Sequence, residues 1–174
     1  MPDEENRDWI AEDALEDWVS PSGVRCVVRA GGFSLCGYAR LPDSLVGKCA
    51  NYNEIDVALP YGVKLTYGPP DKPYWVGFDT GHAGETWAPD DLIGQLTEEG
   101  FKTAQELRRI YENQRAIPSH RWTRQELHDA TEVLGRHIAA LAALAEACDT
   151  SATLARVRAL AGETLEGPTP GTPT

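Results

Sequence analysis

From Leu127 to Cys148 the chain carries an unbroken apolar stripe: Leu127, Ala130, Leu134, Ile138, Leu141, Ala145 and Cys148, at alternating steps of three and four residues. This predicts a helix over 124–148. Thr123 and Glu126 open it as a capping box, the threonine oxygen accepting one free N–H while the glutamate returns to another. Such a stripe needs a cover, either one face of a sheet or a second copy of itself. The sheet is the better partner, because an antiparallel sheet must bury one face.

The upstream sequence supplies that sheet. Residues 24–29 and 33–38 are strand-like runs flanking Ala30-Gly31-Gly32, where glycines provide the positive φ of a tight hairpin. A two-residue loop would set Cys26 opposite Gly37, and a three-residue loop would set it opposite Cys36. Both registers stay open, and with them a Cys26–Cys36 bridge. Further strands are expected at 54–59, 63–67 and 74–78, separated by Pro60-Tyr61-Gly62 and by 68–73, which holds three prolines. The connections are too short for helical crossovers, so the sheet should be antiparallel.

The remainder reads as helical. A short turn opens at Pro89-Asp90-Asp91, a helix is expected over 103–115, and another over 152–161 ends at Gly162. Residues 8–19 also match helical spacing through Ala11, Ala14, Leu15 and Trp18, and Ser20-Pro21 would stop that helix. The expected architecture is α+β. An antiparallel sheet of about five strands (22–88) packs against a long C-terminal helix within a helical part (89–162). A short acidic N-terminal helix (1–21) precedes it, and a disordered Pro/Thr/Gly tail (163–174) follows.

Charge narrows the function classes. The chain of 174 residues has 16 Lys+Arg against 27 Asp+Glu, a net of −11, so direct binding to nucleic-acid phosphates is disfavoured. Eight of those acids fall in residues 1–20 against Arg7 alone, so the acidity belongs mainly to the N-terminal segment. The N-terminus lacks the basic start of a signal peptide, and the longest aliphatic run is eight residues, Ile138 to Ala145. A soluble, cytosolic protein without a membrane partner is expected. Four cysteines form no Cys-x-x-Cys pair, which leaves them as small buried apolar side chains.

The densest polar cluster is Asp79-Thr80-Gly81-His82-Ala83-Gly84-Glu85, directly after Trp75-Val76-Gly77-Phe78. A carboxylate, an imidazole and a second carboxylate at three-residue steps lie on a glycine-rich loop that can fold back on itself, so Asp79, His82 and Glu85 can converge. They would serve as an acid–base site with Asp79 orienting His82, or hold a divalent metal. The blander reading has Asp79 closing an Asx turn and His82 bonding a nearby carbonyl. Phe78-Asp79-Thr80-Gly81 also imitates the nucleophilic turn of aspartic proteases, but those enzymes need two such carboxylates in an all-β setting. Glu54 and Asp56 lie two apart, so a strand would place both on one face, where Asp56 could approach the loop. His120, His128 and His137 have no metal-ligand spacing and read as surface residues. There is no glycine-rich phosphate loop, Walker lysine or Gly-x-Ser-x-Gly elbow, and no cofactor is indicated.

Several blocks, in order, carry a resemblance: Val24-Arg25-Cys26-Val27-Val28, Leu35-Cys36-Gly37-Tyr38 with Pro42, Gly47-Lys48, Tyr52 with Ile55-Asp56-Val57, Leu65-Thr66-Tyr67, and Trp75-Val76-Gly77-Phe78-Asp79 with His82-Ala83-Gly84-Glu85. Over about residues 22–87 the chain resembles a family of small uncharacterised bacteriophage and prophage proteins. Two departures stand out. The family usually has His-Gly-Gly before its Leu-Thr-Tyr block, where this chain has Gly62-Val63-Lys64, and its final loop acid is usually aspartate, here Glu85. A missing histidine weakens a catalytic reading more than a binding one.

The resemblance implies a phage-type accessory protein acting in the host cytoplasm. It would bind a small ligand, such as a nucleotide-like host-defence signal, or a host protein. Tyr38, Tyr67 and Trp75 would stack on the ligand, Asp56 would add a polar contact, and Arg40 with Arg25 and Arg29 would meet a phosphate. A hydrolase or transferase built on Asp79, His82 and Glu85, metal-dependent or not, is the alternative. A structural protein that assembles through residues 1–20 and 124–148, as a homo-oligomer or with a partner, is the third.

Overall fold

Strand pairing follows chain order in the main sheet. β1 (Ala14–Val19), β2 (Arg25–Ala30), β3 (Leu35–Arg40) and β4 (Trp75–Asp79) lie side by side, each antiparallel to the next. The computed structural model describes residues 8–46, 52–68, 74–82, 85–113 and 120–163, with backbone alone for 54, 89, 111–113 and 151–163. Beyond β4 come β5 (Glu85–Trp87), α1 (Pro89–Leu92), α2 (Glu98–Asn113), β6 (His120–Trp122) and α3 (Arg124–Glu163). An α+β chain with an antiparallel sheet against a long C-terminal helix is what the patterning predicted. The Pro/Thr/Gly tail from 164 onward lies outside the described residues.

α3 covers the sheet with the predicted stripe. Leu127, Ala130, Leu134 and Ile138 are fully buried against Val28, Leu35, Ala39, Val76 and Phe78. Burying each such leucine or isoleucine stabilises the fold by about 1.5–3 kcal/mol. The close approach depends on Gly37, where a Cβ would stand 2.3 Å from Thr131 Oγ1 and 2.8 Å from Phe78 Cζ. The capping box forms as expected, Thr123 N donating to Glu126 Oε2 (2.9 Å) and Glu126 N to Thr123 Oγ1 (3.3 Å). Residues 152–161 are no separate helix; their backbone continues α3. Leu141 and Ala145 pack partly buried against the same core, whereas Leu144 and Cys148 are exposed.

Four expectations are corrected. Residues 8–19 are not a helix: turns over 8–13 lead into β1, an edge strand. Pairing with β2 satisfies its backbone, and tertiary partners for its acids outweigh local helical spacing. Asp17 and Asp8 meet Arg25 at 2.7 and 3.1 Å, and Asp13 lies 3.6 Å from Arg29. Residues 54–59 and 63–67 are not ladder strands. After a 3₁₀ turn at Tyr52–Glu54 the chain runs extended to a left-handed turn at Tyr61 (φ 62°) and Gly62 (φ 75°). Ile55, Leu59 and Val63 anchor it by burial, and only Tyr67 forms a bridge, to Gly77.

The β2–β3 hairpin has a four-residue loop, 31–34, and pairs Cys26 with Ala39 and Arg29 with Cys36, which is neither expected register. Cys26 and Cys36 therefore sit on opposite faces as free buried thiols. Lastly, β5 and β6 pair in parallel, Glu85 with His120 and Trp87 with Trp122, so a strand interrupts the part read as helical. The second sheet face is covered too, by Ile10, Val27, Tyr74 and Trp75 with Trp9, Tyr38 and Tyr67. No helix among the described residues is long and apolar enough to cross a membrane.

Candidate functional site

β4 ends at Asp79, whose register partner is Cys36. There the chain bends: Asp79 N donates to Thr66 Oγ1 (3.1 Å), and Asp79 Oδ1 accepts from Gly81 N (3.0 Å), an Asx turn. Glu85 N donates to His82 O (3.0 Å) where β5 begins. As a result His82 Nδ1 lies 3.6 Å from Asp79 Oδ1 and 3.4 Å from Glu85 Oε2. Acid, imidazole and acid are gathered. The turn-closing role of Asp79 and the cluster coexist, because one carboxylate oxygen takes part in both. Two carboxylates therefore stand beside the same ring nitrogen. Both distances are those of ion pairs, longer than a directed hydrogen bond.

Exposure separates the two acids. The Asp79 and His82 side chains are 40% and 46% exposed, whereas Glu85 is only 13% exposed. Its Oε2 is shielded from solvent and accepts no hydrogen bond from a described residue. Behind the loop, Thr80 is buried and holds the bend in place, donating to Leu35 O (2.7 Å) and accepting from Trp87 Nε1 (2.9 Å). This links β3, β4 and β5 through one hydroxyl.

His82 and Glu85 border a cavity of about 150 Å³ between that bend and α2. Its walls are apolar, with Phe33 from the hairpin loop, Trp87 from β5, and Phe101 and Leu107 from α2. Gln105 and Arg108 from α2 add polar groups. α2 reaches the hairpin because Gly100 has no side chain: a Cβ there would meet Gly32 O at 2.2 Å. Thr97 caps the helix, accepting from Gly100 N at 3.1 Å. Among the described residues, no three His, Cys, Asp or Glu side chains are arranged to hold a metal ion.

The other candidate residues lie elsewhere. Tyr38, Tyr67 and Trp75 belong to the opposite sheet face, where Tyr38 and Tyr67 meet edge to face at 5.3 Å and Trp75 is fully buried. Burial raises the Tyr38 phenol well above its ordinary range. Arg40 pairs with Trp75 at the far end of β3 from the Cys36–Asp79 pair. Asp56 is exposed on the extended segment after the 3₁₀ turn and does not line the cavity. Arg25 and Arg29 are held by the acids of the N-terminal segment, and the Arg29 guanidinium lies 5.4 Å from the Trp9 ring centre.

Two histidines are better anchored than surface residues. His120 stacks on Tyr61 at 4.4 Å, and His128 stacks on Trp18 at 4.2 Å with Nδ1 3.1 Å from Glu16 Oε2. The α2 wall was missed at the sequence level. The spacing of Phe101, Ala104, Leu107 and Arg108 marks a helix face, but not what that face would meet. No family model, no curated protein and no solved structure matches this chain.

Proposed function

We propose that the protein binds a small ligand, without turnover, in the cavity between the Asp79–Glu85 bend and α2. The observation that carries this reading is the pairing of apolar walls with a withdrawn carboxylate. Phe33, Trp87 and Phe101 surround a space of about 150 Å³, at whose edge Glu85 Oε2 accepts no hydrogen bond from a described residue. A concave, mostly apolar site with a few convergent polar groups is the usual form of a ligand pocket, and a cavity of about this volume holds a benzene-sized ring. A phage-type accessory role in a host cytoplasm, countering a defence signal or a host protein, rests on the ordered sequence blocks from Val24 to Glu85.

A hydrolase or transferase is the second reading, favoured by the two carboxylates beside His82 Nδ1. Binding is preferred because the cavity beside the bend has mostly apolar walls, while neither carboxylate makes a directed hydrogen bond to the imidazole.

Native mass spectrometry of the purified protein tests the proposal. A stoichiometric small molecule that is lost on replacing Ala104, a cavity-wall residue, by Trp supports it. A mass equal to that of the bare chain, together with no thermal shift from a metabolite panel, would refute it. Turnover of a bound compound would move the assignment to the second reading.

A further inference from the structure

Resting on the ligand-binding reading of the cavity, we infer that its ligand is a small aromatic or heteroaromatic ring bearing N–H donors, one of which hydrogen-bonds the Glu85 carboxylate. Three observations converge. Glu85 is 13% exposed, and its Oε2, which lies 3.4 Å from His82 Nδ1, is shielded from solvent and accepts no hydrogen bond from a described residue. A carboxylate drawn out of water without donors is unfavourable, and a ligand that brings donors recovers that loss on binding. An acceptor-only group selects N–H over carbonyl or carboxylate chemistry.

The walls select the ring. Phe33, Trp87 and Phe101 present aromatic surface, and Leu107 adds aliphatic surface to a space of benzene-ring size. Trp87 is fixed by its hydrogen bond to Thr80, and α2 is fixed against the hairpin by the contact of Gly100 with Gly32, so the space does not depend on a ligand to form. Glu85 and Arg108, of opposite sign, line it together with the His82 imidazole. A protonated amidine and the neutral amino edge of a heterocyclic base therefore share the required chemistry, and separate probes distinguish them.

Isothermal titration of the full chain with benzamidine and with guanosine, alongside benzoate and toluene, is the test. Benzamidine, guanosine or both should bind at least tenfold more tightly than benzoate and toluene, and E85Q should remove that preference. A104W should abolish binding of every probe, which places them in the cavity. In the ligand-free protein E85Q should keep or raise the melting temperature, because it removes the charge from a carboxylate whose Oε2 is shielded from solvent and accepts no hydrogen bond from a described residue. Benzoate or toluene binding as tightly as the N–H probes, or E85Q leaving their affinity unchanged, overturns the ligand class while the cavity reading stands. Failure of all four probes, with no small molecule carried through purification, overturns both.

Discussion

Trp87 Nε1 donates a 2.9 Å hydrogen bond to Thr80 Oγ1, and that hydroxyl in turn donates to Leu35 O at 2.7 Å. One buried side chain thereby ties the end of β4 to β5 and to β3, and sets the floor of the cavity. Replacing Thr80 by Val keeps the shape and removes both bonds, leaving the indole N–H and the carbonyl unpaired. The expected loss is about 1–3 kcal/mol in urea unfolding, with Thr80→Ser recovering most of it. An unchanged transition midpoint for the valine variant would show that the hydroxyl does not hold the bend.

Gly37 marks the crossing of α3 over β3. A methyl group there meets Thr131 Oγ1 at 2.3 Å and Phe78 Cζ at 2.8 Å, both in the interior. Gly37→Ala should destabilise the protein by about 1–3 kcal/mol through overpacking. Thr131→Ala should relieve part of this, giving a favourable coupling in a double-mutant cycle. Additive effects of the two changes would argue against the contact.

Acid sensitivity should trace to Glu16. Burial pushes its carboxyl up, but hydrogen bonds and charge from Arg124 and His128 outweigh this and hold it below the ordinary value of 4.5. A carboxyl depressed in the folded state adds stability that is fully present above its unfolded value and lost as pH falls through the folded one. Wild type should therefore exceed Glu16→Gln in stability at neutral pH, and the gap should close below about pH 4.5. A gap that persists into acid would assign the effect to packing instead.

His82 and Leu134 should behave oppositely. His82 is half exposed, so His82→Ala should change stability by no more than about 0.5 kcal/mol while weakening ligand binding. Leu134 is fully buried in the α3 stripe, and Leu134→Asp should unfold the chain by placing an unpaired charge there. Circular dichroism melts of both variants check this, and a cooperative wild-type-like melt for the aspartate variant would contradict the core assignment.

Much of the fold was legible because it is local. The stripe from Leu127 to Ile138, the Thr123–Glu126 cap, the hairpin glycines and the strand before Asp79 each depend on spacing or on cap and turn chemistry within a few residues. The gathering of Asp79, His82 and Glu85 belongs to the same class, since a turn of seven residues brings them together.

Short segments with distant partners were not legible. Residues 14–19 have helical spacing, but the open edge of β2 and the arginines beyond it make them a strand. Glu85 to Trp87 becomes a strand only through residues 120–122, far along the chain.

The sequence by itself determined which residues form the α3 face, where that helix begins, and that three titratable groups share one bend. Tertiary structure decided what surrounds that bend. Side chains alternate across a strand, and the β2–β3 and β3–β4 registers put Tyr38 and Trp75 on one sheet face, where neither lines the cavity. Contact between Gly100 and the Gly32 carbonyl, separated by 68 residues of sequence, brought α2 over His82 and Glu85 in their place. Local spacing specifies the faces of helices and strands, but which faces meet depends on register and close approach, which are settled only when the whole chain packs.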